Sequence, residues 1–395
     1  MLRLHVHFAG YALVCVQQKP SRLSKAKKAE LSLGEVMKQL NLVGEGVRLL
    51  FEENILAVLS DSPLSTVSSA FHCGGIKETK VIINAQVPQD YNDQNLHQDP
   101  EKFIQRCFSR LTLGGFADGF VGMITFAVVA AFSVVSMREG DVAVSVVATG
   151  GCTHAESAGE RLVLLPAAGT INLIVIIDGN PTESCMVSSV ITATEAKSAA
   201  LRELDVRSLY TGSQATGTPT DAIVVAKTGQ GSDIIYSGPA SKLGYLIACC
   251  TKQAVKEAVA KAPIGGYPLG RPFRRRLAER HLSVDKLAAE LAKIDCFGKT
   301  EKAIAERLNT LLDDDPVFAS SLFAAAELSE EFEHKRNPWQ FGDVKELAQR
   351  FGELLSRQVS TERLTAQDCE DVDLPVFFKQ ALIALLENRL LATKN

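Results

Sequence analysis

The chain has 395 residues, 46 % of them hydrophobic, and a net charge of −4 at pH 7. That length supports one large domain and a smaller one, each with its own core, and the composition excludes a disordered chain. Charge so near balance excludes a global basic field for nucleic acid and an acidic solvating tail, so partners have to be read from local sites. Nine cysteines without CxxC pairs fit reduced thiols in a cytoplasm better than a disulfide framework.

The first residues, MLRLHVHFAGYALVCVQQ, carry two histidines and an arginine inside an apolar run and predict a strand rather than a signal peptide. From Ile55 to Ala85 short apolar runs (ILAVLS, STVSSA, VIINA) broken by turn residues predict strands. A helix is expected from Pro100 to Leu111. The run Gly119 to Met137 is the most membrane-like segment, but the charged and β-branched residues that follow predict a buried helix or a strand–helix pair, not a span. VAVSVVATGG and GTINLIVIID, continuous and apolar, predict interior strands of a sheet covered on both faces.

Asn180-Pro181-Thr182-Glu183 predicts a helix start, with Asn180 as cap, Pro181 in the first turn and a carboxylate three residues after the cap; the helix should run to about Leu204. DAIVVAK is a further buried strand, and a helix is expected from about Ala240 to Ala262. The alternation predicts an α/β domain, a mixed sheet with helices packed on it. A Gly- and Pro-rich break at residues 261–272 separates residues 1–265 from an all-helical region at 272–395. The Arg274–Arg276 run there predicts a solvated first helical turn. The amphipathic helices of this region permit homo-oligomerisation without requiring it.

On the helix from Val187 to Leu204, Val187, Val190, Ile191 and Leu201 form one apolar stripe, with Thr194 and Ser198 inside it and Glu195 and Lys197 at its two edges. ATGTPTD, from Ala215 to Asp221, describes a tight turn at the entry of a buried strand, where backbone N–H groups and hydroxyls can hold an anion. It is not a P-loop, since no GK[ST] follows. Of the histidines, His72 precedes Cys73 on what reads as a strand, so the two side chains point to opposite faces; His154, in a loop after a strand end, is the better placed. No HExxH and no His/Cys/Asp cluster predicts a metal site.

Taken together, these motifs resemble the adenosylcobinamide amidohydrolases of corrinoid salvage. The resemblance rests on SSA with Gly74-Gly75 downstream, GMIT (Gly122 to Thr125), GTINL (Gly169 to Leu173), TATEAKSAAL, ATGTPTDAIVVA and SGPASKLGYLIA, covering roughly Ile55 to Ala262. Two positions depart from the family pattern: His154-Ala155 stands where an Asn-Ala pair is usual, and Cys73 where a third glycine is. The resemblance implies hydrolysis of the amide joining the aminopropanol arm to the corrin ring, giving adenosylcobyric acid and 1-amino-2-propanol. The implied partner is the corrinoid, whose own cobalt and adenosyl group leave no separate cofactor to expect, and the setting is cytoplasmic.

For such chemistry Asp221 or Glu195 is expected as general base, the N–H groups of Gly217 and Thr218 as oxyanion hole, and Lys197 as charge stabiliser or proton donor. Thr218 or Thr220 is the alternative, as nucleophile. The matched motifs nominate Ser68, Ser69, Gly74, Gly75, Thr125, Asn172, Thr194, Thr216, Gly217 and His154 for substrate binding. A corrinoid- or nucleotide-binding module without catalysis is the competing reading.

Overall fold

Val, Ile and Ala at period two build the centre of the molecule, because side chains on one strand alternate between its faces. The computed structural model describes residues 38–88, 99–111, 119–160, 169–293 and 300–334 and a few positions between 346 and 382; the expected N-terminal strand lies outside them. The chain divides into two compact units at Leu269/Gly270.

The first unit is a mixed sheet of nine strands that runs β1 (Lys38–Asn41), β2 (Val47–Glu52), β3 (Ile55–Ser68), β10 (Ala222–Lys227), β8 (Thr170–Asp178), β7 (Val142–Gly151), β6 (Ser133–Glu139). On its other edge β3 pairs with β4 (Gly75–Gln86), which carries β5 (Val121–Thr125). The 14-residue β3 spans the two stretches expected as separate strands. It pairs with β2 through Ile55–Ser60 and with β10 through Ser65–Ser68, and its register with β4 shifts between Leu59 and Leu64. Such irregularities bend strands, and the sheet curls. Leu56, Val58, Ile82, Met123, Val147, Ile174, Ile176, Val224 and Ala226 fill the inside of the curl. Their strand neighbours Leu173, Val175, Ile177, Ile223 and Val225 face outward to the helix α2 (Glu183–Glu203) and the helix α3 (Lys242–Lys261). Ile55, Ala57, Val81 and Ile83 face α1 (Pro100–Arg110), capped by Asp99. Each of these side chains is worth about 1.5–3 kcal/mol when fully buried, so a sheet covered on both faces explains the unbroken apolar runs of β7 and β8.

Three expectations are corrected. The apolar run from Gly119 to Met137 contains no α-helix: β5 and β6 are strands joined by a 3-10 turn at Val129–Ala131. No helix among the described residues is long and apolar enough to cross a membrane. Second, α2 is capped by Thr182, whose Oγ1 accepts from the Cys185 N–H, while Asn180–Pro181 forms a short strand β9 beside Asp233–Ile234 (β11). The Asn180 side chain donates to Asp233 Oδ1 at 2.7 Å and so is spent across that bridge rather than on the helix.

Third, the buried face of α2 is the apolar stripe only in part: Leu201 is fully buried and Val190 packs against the core. Val187 and Ile191 are exposed, whereas Ser189, Thr192, Ala193, Ala196 and Ala200 are buried. Small side chains let α2 lie close to α3 and the sheet, and buried hydroxyls find local acceptors: Ser189 donates to Cys185 O and Thr192 to Ser237 O.

The second unit holds α4 (Phe273–Ala278), α5 (Val284–Ala292), α6 (Glu301–Asp314) and α7 (Pro316–Glu333). Their apolar faces bury Leu277, Leu287, Leu291, Leu308, Phe318 and Leu322 together, joined by Phe378 and Leu382 of the C-terminal segment; the rest of that segment lies largely outside the described residues. The arginine run is engaged inside the unit: Arg274 pairs with Asp313 and Arg275 with Glu279, and Arg276 lies over the Phe323 ring.

Candidate active site

At one end of the curled sheet the parallel strands β8 and β10 begin, paired Asn172 with Ala222, and β7 ends at Gly151. The turn before β10 delivers Asp221 there, and α2, packed on the outer face, delivers Lys197. Lys197 Nζ donates to Asp221 Oδ2 in an ion pair whose side chains are 11 % and 15 % exposed. The Thr218 hydroxyl donates to Asp221 Oδ1. The Thr218 N–H reaches Oδ2 at 3.1 Å and the Ile171 N–H reaches Oδ1 at 2.8 Å. Asp221 thus accepts from four donors, two on each oxygen. These bonds hold Lys197 and Thr218 in place around it.

Gly217 lies directly over this pair: a Cβ there would sit 2.5 Å from Asp221 Oδ2 and 2.8 Å from Lys197 Nζ. The oxyanion hole expected from the Gly217 and Thr218 N–H groups is not available, because Gly217 N–H donates to Glu156 O at 3.3 Å and Thr218 N–H to Asp221. Lys197, with an ammonium of three donors, is the cation within the cluster.

Glu195 and Thr194 are exposed on α2, with Thr194 bonded back to Val190 O. Two residues apart on a helix is about 200°, so Glu195 faces away from the side that carries Lys197. Thr220 shares a 2.7 Å hydroxyl–hydroxyl bond with Thr170 and donates to Gly169 O at 3.1 Å. Thr216 Oγ1 accepts from Ala158 N–H.

Inside the curl, Asn172 donates to Asn84 Oδ1 and Ile124 O and accepts from Ala222 N–H, while Asn84 donates to Thr149. Thr125 is buried and caps Ala127 N–H. Ser69 is bonded both ways to Ile223, and Ser68 accepts from Ala70 N–H. Gly74 has no room for a Cβ beside the Ala70 carbonyl, and Gly75 has φ +83°. Cys73, where a glycine was expected, has φ +51°, the left-handed conformation glycine favours. His72 stacks on Phe120 and pairs with Glu101 at 2.6 Å, a structural role.

His154 is half-buried in the loop after β7, but the acidic residue of this loop that feels the charges of Asp221 and Lys197 is Glu156, which no motif in the sequence singles out. Its N–H donates to Gly217 O and its carbonyl accepts from Thr216 N–H, both at 2.9 Å, clamping it opposite the turn. Burial, the nearby Asp221 and Glu160 push its carboxyl above the usual carboxylate range, against the pull of Lys197. Glu160 behaves oppositely. Burial would raise it, but donors from Ser208, Thr211, Ser157 and Ser213 together hold it below the usual range and tie the loop down. Cys152, fully buried, has its thiol pushed up by burial and by Asp221, so it is a neutral thiol rather than a nucleophile. Among the described residues no group of three His, Cys, Asp or Glu side chains is placed to hold a metal ion.

The chain matches the family model described as adenosylcobinamide amidohydrolase over residues 38–263, more than half of its length. The chain belongs to the adenosylcobinamide amidohydrolase family. It is similar to an adenosylcobinamide amidohydrolase of Methanosarcina mazei, 27 % identical over 46 % of this chain and 84 % of that protein. It is also similar to an uncharacterized protein of Methanocaldococcus jannaschii, 44 % identical over 26 % of this chain and 40 % of that protein, so it spans less than half of that relative's length. A crystal structure of a Pyrococcus horikoshii protein, 13 % identical, covers 63 % of this chain and 82 % of its own with a TM-score of 0.27, too low to carry an argument.

The family match ends at the close of α3 and leaves the helical unit outside it, while enclosing Lys197, Thr218 and Asp221. Within an amidohydrolase family, Gly217→Ala is a sharp test of that cluster. The added methyl must push the ion pair apart, and we expect a stability loss of about 1–3 kcal/mol with amide-cleaving turnover reduced at least tenfold. Thermal melts and initial rates measure the two effects.

Proposed function

We propose that this chain hydrolyses the amide between the corrin side chain and the aminopropanol arm of adenosylcobinamide, releasing adenosylcobyric acid and 1-amino-2-propanol. One observation carries the chemistry: a threonine hydroxyl that donates to a carboxylate which is itself held by a lysine. A hydroxyl is a weak nucleophile until a neighbouring group takes its proton, and Asp221 is the acceptor already in place for Thr218. In this reading Thr218 Oγ attacks the amide carbon while its proton passes to Asp221. Lys197 stabilises the charge that develops on the carbonyl oxygen, a role for which preorganised donors in a water-poor site are well suited. The C–N bond then breaks, leaving an ester on Thr218 that water hydrolyses.

The substrate brings its own cobalt and adenosyl group, and the scheme uses no other cofactor. Recognition of so large a ligand, ringed with neutral amides, calls for apolar contact with scattered hydrogen-bond groups, not a basic patch. Six cysteines among the described residues are free thiols, Cys73 exposed, which fits a reducing compartment, and we place the reaction in the cytoplasm.

Purified protein incubated with adenosylcobinamide should release 1-amino-2-propanol in step with adenosylcobyric acid, followed by amine derivatisation and chromatography. Binding of the corrinoid with no amine released would instead make the chain a corrinoid-binding module.

A further inference from the structure

We propose that Glu156 is the acid–base partner of the reaction, giving a proton to the departing amine and then taking one from the water that hydrolyses the ester. The inference rests on the amide-hydrolysis reading above. Amine departure from a tetrahedral intermediate requires a proton donor, because an amide anion is far too basic to leave. Neither of the two charged groups already described suits that task. Asp221 accepts from four donors and is committed to Lys197 and Thr218. Lys197 is held by Asp221 as the stabilising cation.

Glu156 is differently placed. Its backbone is fixed against Thr216 and Gly217, one residue before Thr218. Its Oε2 is buried with no hydrogen-bond partner. A buried carboxylate oxygen without a donor is costly, and a catalytic role is one of the explanations such a group calls for. The surroundings favour the protonated form, since burial, Asp221 and Glu160 all work against the charge. The clamp that holds the residue is stiff, because the Glu160 carboxylate gathers the Ser157 N–H and the hydroxyls of Ser208 and Ser213 around the same loop.

The proton account closes. In acylation the Thr218 hydroxyl proton goes to Asp221, the C–N electron pair goes to nitrogen, and the Glu156 carboxylic acid supplies the proton that nitrogen needs. In the second half, water adds to the ester, its proton goes to the Glu156 carboxylate, the C–O pair returns to Thr218 Oγ, and Asp221 gives the hydroxyl its proton back. One amide and one water are consumed, one acid and one amine are formed, and both carboxyl groups end as they began.

The test compares wild type and Glu156→Gln on two substrates, adenosylcobinamide and the 4-nitroanilide of adenosylcobyric acid, whose weakly basic amine leaves with little protonation. For Glu156→Gln we expect kcat/KM on adenosylcobinamide to fall by about 10²–10³-fold, and the first-turnover release of nitroaniline to stay within about tenfold of wild type. The wild-type kcat/KM should decline as pH rises through the ionisation of Glu156, and that limb should vanish in the variant. Thermal melts supply a readout apart from activity. Because the folded protein raises the Glu156 carboxyl, its favourable contribution is present below the unfolded-state pKa and is lost as pH rises through the folded one. The variant should therefore melt above wild type only on the alkaline side. Equal losses on both substrates, or none on either, overturn the role of Glu156 while leaving the amidohydrolase reading intact. Wild type that releases no aminopropanol overturns both.

Discussion

Thr218→Ala is expected to lower turnover of adenosylcobinamide by at least about 10⁴-fold, the scale of losing a nucleophile from a unit that acts together. The residue is buried, and its hydroxyl and N–H both donate to Asp221, so the alanine variant removes the attacking oxygen while keeping the backbone bond. Thr218→Ser should recover most of the rate, since serine keeps that oxygen and its donor. Thr220→Ala forms the contrast: its hydroxyl bridges Thr170 and Gly169 rather than Asp221, and a loss of no more than about tenfold is expected. Rapid quench and intact-protein mass spectrometry should find the corrinoid acyl group on wild type and none on Thr218→Ala. Full activity of Thr218→Ala would rule out covalent catalysis and return the attack to water.

Asp221→Asn carries the second large effect, on stability as well as rate. The Lys197 side chain is 11 % exposed and depends on Asp221 for its counter-charge. Removing one partner of a mostly buried pair leaves an uncompensated charge, at a cost of about 3 kcal/mol. Asparagine also places an NH₂ where two of the four donors point, so at least one contact turns repulsive. Turnover should drop by about 10²–10³-fold as Thr218 loses its proton acceptor. Denaturant unfolding of Asp221→Asn, Lys197→Met and the double variant checks the coupling. The double variant should lose clearly less stability than the sum of the two, because it no longer buries a lone charge.

Much of the first unit could be read from the chain. β7, β8 and β10 are continuous apolar runs, and α1 and α3 carry capping residues, Asp99 and Ser241, that mark their starts. The apolar run from Gly119 to Met137 misled because its composition suits a buried helix and a buried strand alike, and only pairing with β4 and β7 selects strands there. On α2 the hydrophobic stripe was only half right, since Leu201 and Val190 pack on the core while Val187 and Ile191 are exposed. Hydrophobicity ranks Val187 and Ile191 above Ala193 and Ala196, but most of the face turned to the neighbouring helix and sheet is filled by small side chains, Ser189, Thr192, Ala193, Ala196 and Ala200.

The sequence by itself determined that hydroxyls, glycines, a lysine and a carboxylate gather in TATEAK and ATGTPTD, and that a sheet with helices on it would hold them. Only the tertiary structure decided which of them meet. Lys197 comes from a helix, Asp221 and Thr218 from a turn and Glu156 from a loop after another strand, residues up to 65 positions apart in the chain. Their meeting depends on β8 and β10 lying parallel and in register, with α2 packed close on small residues. Side-chain direction also sets Glu195 apart from Lys197, two residues along the same helix: one faces solvent, and the other reaches the carboxylate beneath Gly217.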